Sequence, residues 1–229
     1  MTTTRARAFA SDQMRFPLKR EPEGAVAMFV RGPSNRLAAE TLDLWPQGDD
    51  SLLALVGTQG SGKSHLASEW AERTGAVALA GAEAGQIDLS DLEGRPVLLD
   101  DAGETDDATL FHLINLARSP GGALLMVSRE PPSRREAELA DLRSRLDAVR
   151  VIRVEAPDDA VLAAALRRFF DERAITPGED LIDYLVLRIE RSIPAARAVV
   201  ARLDAEAGGR KLNRSLARAL LDEEATDLF

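Results

Sequence analysis

Gly57-Thr58-Gln59-Gly60-Ser61-Gly62-Lys63-Ser64 follows the apolar run Leu52–Val56 and leads straight into a stretch with helical periodicity, Lys63–Arg73. A glycine-rich loop between a buried strand and a helix is the setting in which G-x-x-x-x-G-K-S holds phosphate. The glycines let the chain turn tightly enough for successive N–H groups to converge on one concavity, and the helix N-terminus adds a potential that favours an anion there. Lys63 is expected to reach the β- and γ-phosphates, and the Ser64 hydroxyl to ligate magnesium. The loop from Gly57 through Thr58, Gln59, Gly60, Ser61 and Gly62 to His65 is therefore assigned to ATP or ADP with Mg2+, and Val30 is placed beside it. A plain glycine turn would explain the loop, but not the strand before it and the helix after it.

Val97-Leu98-Leu99-Asp100-Asp101 supplies a second half to such a site. An apolar strand ending in an acid sets a carboxylate beside the metal, which assigns Asp100 to magnesium, through water. Asp101 then stands where a glutamate commonly polarises the attacking water. Its shorter side chain implies slow hydrolysis. Ser128 closes the apolar run Ala123–Val127, where it would either sense the γ-phosphate or cap the turn before Pro131. Arg145 precedes the last apolar run. It is either an arginine finger for a neighbouring molecule's nucleotide or a surface residue paired with Asp141 at i, i+4 spacing.

Outward from these motifs the chain alternates strand and helix, the pattern of a parallel sheet covered by helices. Strands are expected at Leu52–Val56, Val77–Ala80, Val97–Leu99, Ala123–Val127 and Val149–Val154. Helices are expected at Arg36–Trp45, Lys63–Arg73, Asp107–Ala117 and Ser133–Leu146, the first opened by Pro33-Ser34-Asn35. After Pro157 no strand-like run remains, and four amphipathic segments follow: Asp158–Arg173, Glu179–Ile189, Pro194–Ala207 and Ser215–Glu224. The expected fold class is thus α/β, a five-stranded P-loop core over residues 26–156 with a small all-helical lid over 157–229. Residues 1–25, broken by Pro17 and Pro22, read as a flexible tail.

Composition removes several functions. Without cysteine there is no disulfide or thiolate metal site, and two histidines, His65 and His112, cannot build a histidine cage. No run of eighteen uncharged apolar residues exists to span a membrane, and the N-terminus lacks a signal-peptide pattern. A cytoplasmic protein is expected. The net charge is −9, and from Ala156 onward 14 acidic residues face 11 basic ones, so direct DNA binding is not expected.

The order FVRGPSN (Phe29–Asn35), the phosphate loop, VLLDD, a strand ending in Ser-Arg-Glu-Pro-Pro, then Leu-Arg-Ser-Arg-Leu (Leu142–Leu146) and a helical lid resembles the DnaA family of AAA+ proteins. The likeness runs from about Phe29 to Asp204. DnaA carries a C-terminal DNA-reading domain, whereas here the core and lid are followed only by an acidic tail. The closer resemblance is to the DnaA-related regulatory inactivator (Hda) type, which lacks that domain and carries a sliding-clamp-binding peptide ahead of the core. Gln13-Met14-Arg15-Phe16-Pro17-Leu18 stands in that place. Gln13 would anchor by hydrogen bonds while Met14, Phe16, Pro17 and Leu18 enter an apolar groove. The resemblance implies two partners, the DNA polymerase sliding clamp (its beta subunit) and ATP-bound DnaA, with a homodimer by analogy. It gives Arg145, or else Arg143, the role of a finger in trans, and Ser128 that of a sensor. One departure is local: in Arg191-Ser192-Ile193-Pro194-Ala195-Ala196-Arg197, alanine or proline falls where the lid's sensor arginine stands, leaving Arg197 as its candidate replacement.

Overall fold

The computed structural model describes residues 29–47, 50–208 and 212–226; the expected clamp-binding peptide, Gln13 to Leu18, lies outside them. The chain runs α1 (Arg36–Leu44), β1 (Leu52–Val56), α2 (Lys63–Thr74), β2 (Val77–Ala80), β3 (Pro96–Asp100), α3 (Asp107–Ala117), β4 (Ala123–Ser128), α4 (Ala140–Asp147) and β5 (Arg150–Arg153). Four helices follow: α5 (Asp159–Asp171), α6 (Glu179–Val186), α7 (Ile193–Ala207) and α8 (Arg214–Thr226). The five strands form one parallel sheet in the order β2-β3-β4-β1-β5.

The period of two along each strand divides the core into two layers. Leu53, Leu55, Leu98, Leu125 and Val127 face Leu42 of α1 and Leu66 and Trp70 of α2. Ala54, Val56, Leu99, Leu124 and Met126 face Leu110, Leu113 and Ile114 of α3 and Leu142 and Leu146 of α4. The middle strands β1, β3 and β4 are covered on both sides, so they read as unbroken apolar runs. β2 and β5 lie at the edges and are only half-buried. The lid helices α5–α8 bury their own apolar stripe, including Leu162, Phe170, Ile182, Leu185, Val200 and Leu203. No described helix is long and apolar enough to cross a membrane.

The expected helix Ser133–Leu146 is corrected. A short 3-10 turn, Pro132–Arg134, is followed by extended chain, and α4 starts only at Ala140. Arg135 leaves the turn in an extended conformation because its guanidinium is drawn to backbone carbonyls of another loop. The 3-10 segments Gly81–Gln86, Leu89–Leu92 and Ala102–Glu104 were not expected; such short turns carry no helical period. Asn35 does occupy the position before α1, but its side chain makes no cap. Instead it turns back, donating to Val30 O at 2.9 Å and accepting from Gly32 N at 2.9 Å.

Candidate nucleotide site

The loop Gly57–Gly62 leaves the C-terminal edge of β1 and enters α2, whose first-turn N–H groups have no acceptor within the helix. Two glycines are sterically required. A Cβ on Gly57 would lie 2.2 Å from the Val154 carbonyl oxygen, so this residue lets the exit of β5 pass against the loop. Gly60 has φ +76°, and a Cβ there would lie 2.5 Å from Ser192 Cβ in the lid. The Gly60 carbonyl also accepts a hydrogen bond from Ile193 N at 2.9 Å, so the loop touches the first turn of α7 directly.

Lys63 is buried, and its Nζ donates to Thr58 O at 2.7 Å, closing the loop on itself. Burial pushes its ammonium below the ordinary lysine range; the nearby charges of Asp100 and Asp101 work against that, while Arg129 adds to it. Ser64 Oγ donates to Asp100 Oδ1 at 3.2 Å across the gap between α2 and β3. A hydroxyl and a carboxylate held this close suit Mg2+, which takes one or two protein oxygens and keeps most of its waters. Gln59 sits exposed at the loop tip.

Val30, Ser61, Gly62, His65 and Arg197 line one narrow apolar cleft where core and lid meet, with Phe169 of α5 opposite. Phe29 packs edge-on against the His65 ring, centroids 5.7 Å apart. The cleft continues from the phosphate loop, as a site for a base and its phosphates requires. Arg197 belongs to it through a stacked guanidinium, 4.2 Å from the Phe169 centroid and bonded to Glu172 at 3.1 Å.

Asp101 stands beside Asp100 but in the left-handed region, φ 51° and ψ 47°, with its backbone N–H donating to Asp100 Oδ1 at 3.1 Å. The loop behind it is clamped by Arg135, a residue the sequence did not single out. This guanidinium donates to Ala102 O (3.4 Å), to Gly103 O (3.2 Å), to Thr105 O and to Asp107 Oδ1 (Nε, 3.0 Å). Only the fold, which brings residue 135 against residues 102–107, makes this role visible.

Ser128 is the register partner of Val56, the residue just before the loop, yet its hydroxyl donates to Glu130 O at 2.6 Å. In this geometry it serves the turn. Arg145 lies on the α3–α4 face: it donates to Asn115 Oδ1 at 2.6 Å, stacks 4.7 Å from the Phe111 centroid and stands 4.0 Å from Asp141 Oδ2. Its neighbour at i, i+4 is thus the Asp141 named from the sequence, and these contacts leave the side chain only partly exposed. Arg143 donates to Ala137 O at 3.1 Å.

Solved structures share this fold. Domain III of the Thermotoga maritima replication initiation protein DnaA superposes with a TM-score of 0.68 at 18% identity, over 85% of this chain and 94% of that one. The replication initiator DnaA bound to AMPPCP and single-stranded DNA gives 0.66 at 16%, over 90% and 69%. The fold is the one these DnaA structures have. The Thermotoga maritima RuvB Holliday junction branch migration motor shares it, with a TM-score of 0.62 at 14% identity over 82% of this chain and 68% of that one. No protein-family model matches the chain, and no curated protein matches it by sequence.

Proposed function

We propose that this chain binds an adenine nucleotide with magnesium and acts as a regulator of bacterial chromosome replication initiation. It docks on the DNA polymerase sliding clamp through residues 13–18 and stimulates hydrolysis of ATP bound to DnaA. The observation that carries the nucleotide part is the meeting of Lys63, Ser64 and Asp100 at the end of a glycine loop that continues into the Val30–His65 cleft. Lys63 and the loop amides hold phosphate, Ser64 and Asp100 hold the metal, and the bound group supplies no chemistry beyond charge and its own phosphoryl bonds.

The regulatory part is supported by the likeness to DnaA domain III and by the FVRGPSN and LRSRL segments. In this reading Arg145 leaves Asn115 and completes DnaA's active site, placing positive charge on the transferring phosphoryl group. Such a finger supplied in trans is worth about 10³–10⁵ in rate. Asp101, shorter than the usual glutamate, keeps this chain's own turnover slow.

The test follows hydrolysis of ATP pre-bound to DnaA, with DNA-loaded clamp, on adding this protein or its R145A form. Wild type should accelerate hydrolysis and R145A should not. The RuvB likeness supports a second reading, a self-contained AAA+ ATPase of the helicase or clamp-loader kind. It would be adopted if neither protein moved DnaA's rate while this chain alone hydrolysed ATP briskly.

A further inference from the structure

Arginines of the lid as a rule find a carboxylate: Arg167 pairs with Glu179, Arg173 with Asp204 and Arg191 with Asp159. Arg188 and Arg214 do not. Arg188 follows the last turn of α6 and Arg214 opens α8, and the packing of α6 on α8 brings both to one ring. Their guanidinium carbons lie 4.1 and 5.1 Å from the ring centroid of Tyr184, a buried side chain of α6. Among the described residues neither side chain has a hydrogen bond or an ion pair.

An aromatic face attracts a cation but offers no lone pair, so the N–H forks of both guanidiniums keep their hydrogen-bonding capacity. Tyr184 thus holds two charged side chains in place without using up their donors. On its own the arrangement is unfavourable. Like charges share one ring, and Arg214 lies in the first turn of α8, where the helix dipole disfavours a cation. An anion bound there relieves both. Leu187, the residue before Arg188, is 72% exposed, the most exposed large apolar side chain among the described residues. A lone exposed leucine signifies little. One beside two arginines without a carboxylate gives this surface an apolar contact next to two fixed charges.

We propose that this face of the lid, Leu187, Arg188 and Arg214 around the Tyr184 ring, is a docking site for an acidic peptide segment of a partner protein, one that carries an apolar side chain among its carboxylates. Each guanidinium takes a carboxylate with its fork, the bidentate geometry that arginine favours. Leu187 covers the apolar side chain. Charge and shape select this occupant over nucleic acid. The chain as a whole carries −9, which repels a long phosphate backbone, whereas screening beyond about 8 Å leaves a short peptide to the local positive charge. A phosphate backbone also has no use for Leu187. No residue of α6 or α8 lines the nucleotide cleft, so this surface is separate from the nucleotide site and goes beyond the function proposed above.

Fluorescence anisotropy tests this on the full chain with a fluorescein-labelled acidic peptide, GDELDDLEELDG, its amide counterpart, GNQLNNLQQLNG, and a single-stranded oligonucleotide carrying the same label. Wild type should bind the acidic peptide with a Kd on the order of 10 μM, weakening as salt rises, and leave the amide peptide unbound. R188A and R214A should each lose about fivefold, and the two together should abolish measurable binding. The double lysine variant, R188K with R214K, should keep part of the affinity, since lysine returns charge without the fork. L187S should lose about threefold with the salt dependence unchanged. Thermal unfolding midpoints at the wild-type value would show that the lid is intact in each variant. A wild type that ignores the acidic peptide, or binds both peptides equally, would overturn the site, as would a double alanine variant that binds like wild type. An oligonucleotide bound more tightly than the peptide, and released by the double alanine substitution, would overturn the peptide reading and assign the face to nucleic acid.

Discussion

Asp101 meets two demands with one side chain. Its backbone occupies the left-handed region that most residues avoid, and its negative charge acts on Lys63 of the phosphate loop. Aspartate tolerates that conformation better than longer side chains because its short polar group bonds locally. A glutamate here would reach farther toward an attacking water but would lose that tolerance. D101E should therefore raise the chain's own ATP hydrolysis, on the order of tenfold, at a stability cost of about 1 kcal/mol. Steady-state phosphate release and a urea midpoint measure the two effects. A rate at or below wild type would show that reach at position 101 does not limit turnover.

At the scale of elements, the junction between core and lid is held by the turn before α1 and the start of α5. Ser34 N donates to Asp158 Oδ2 at 2.7 Å, Asp158 N donates to Ser34 Oγ at 3.3 Å, and Val161 N donates to Asp158 Oδ1 at 2.9 Å. Burial pushes the Asp158 carboxyl up, but the bonds from Val161 and Ser34 outweigh it and hold the group below its ordinary 3.8. A depressed carboxylate contributes stability that is present above the unfolded value and lost as pH falls through the folded one. D158A should cost about 1–2 kcal/mol at pH 7, and the gap to wild type should close as pH drops below the carboxylate range. Urea titrations from pH 7 to pH 3 would check it; a gap that stays constant would show that Asp158 acts by packing alone. This contact joins residues 124 apart and left no trace in the sequence. The strands did, because β1, β3 and β4 are apolar on both faces and the loop after β1 has one chemistry. Ser133–Leu146 differs for the converse reason: its helical period survives, but the tertiary pull on Arg135 holds the chain extended and α4 begins only at Ala140.

For the whole molecule, the question is how a lid with its own apolar core is coupled to the nucleotide. The lid cluster and the two sheet layers are separate, so the contacts at the junction, apolar and polar, set the angle between them. Gly60 is one such contact: its carbonyl receives Ile193 N, and its missing side chain makes room for Ser192. Because Gly60 belongs to the phosphate loop, whatever moves the loop moves α7. G60A should strain the loop at positive φ and push a methyl into Ser192 Cβ, while core and lid each keep their own packing. The expected result is about tenfold weaker nucleotide binding, a larger radius of gyration in small-angle scattering, and an unfolding midpoint lowered by only a few degrees. Removing the opposing Cβ with S192G in the G60A background should restore part of the affinity and of the compactness. An affinity unchanged in G60A would mean that the lid rides on the loop without reporting it. A loss that S192G does not relieve would place the whole effect in the loop's own backbone.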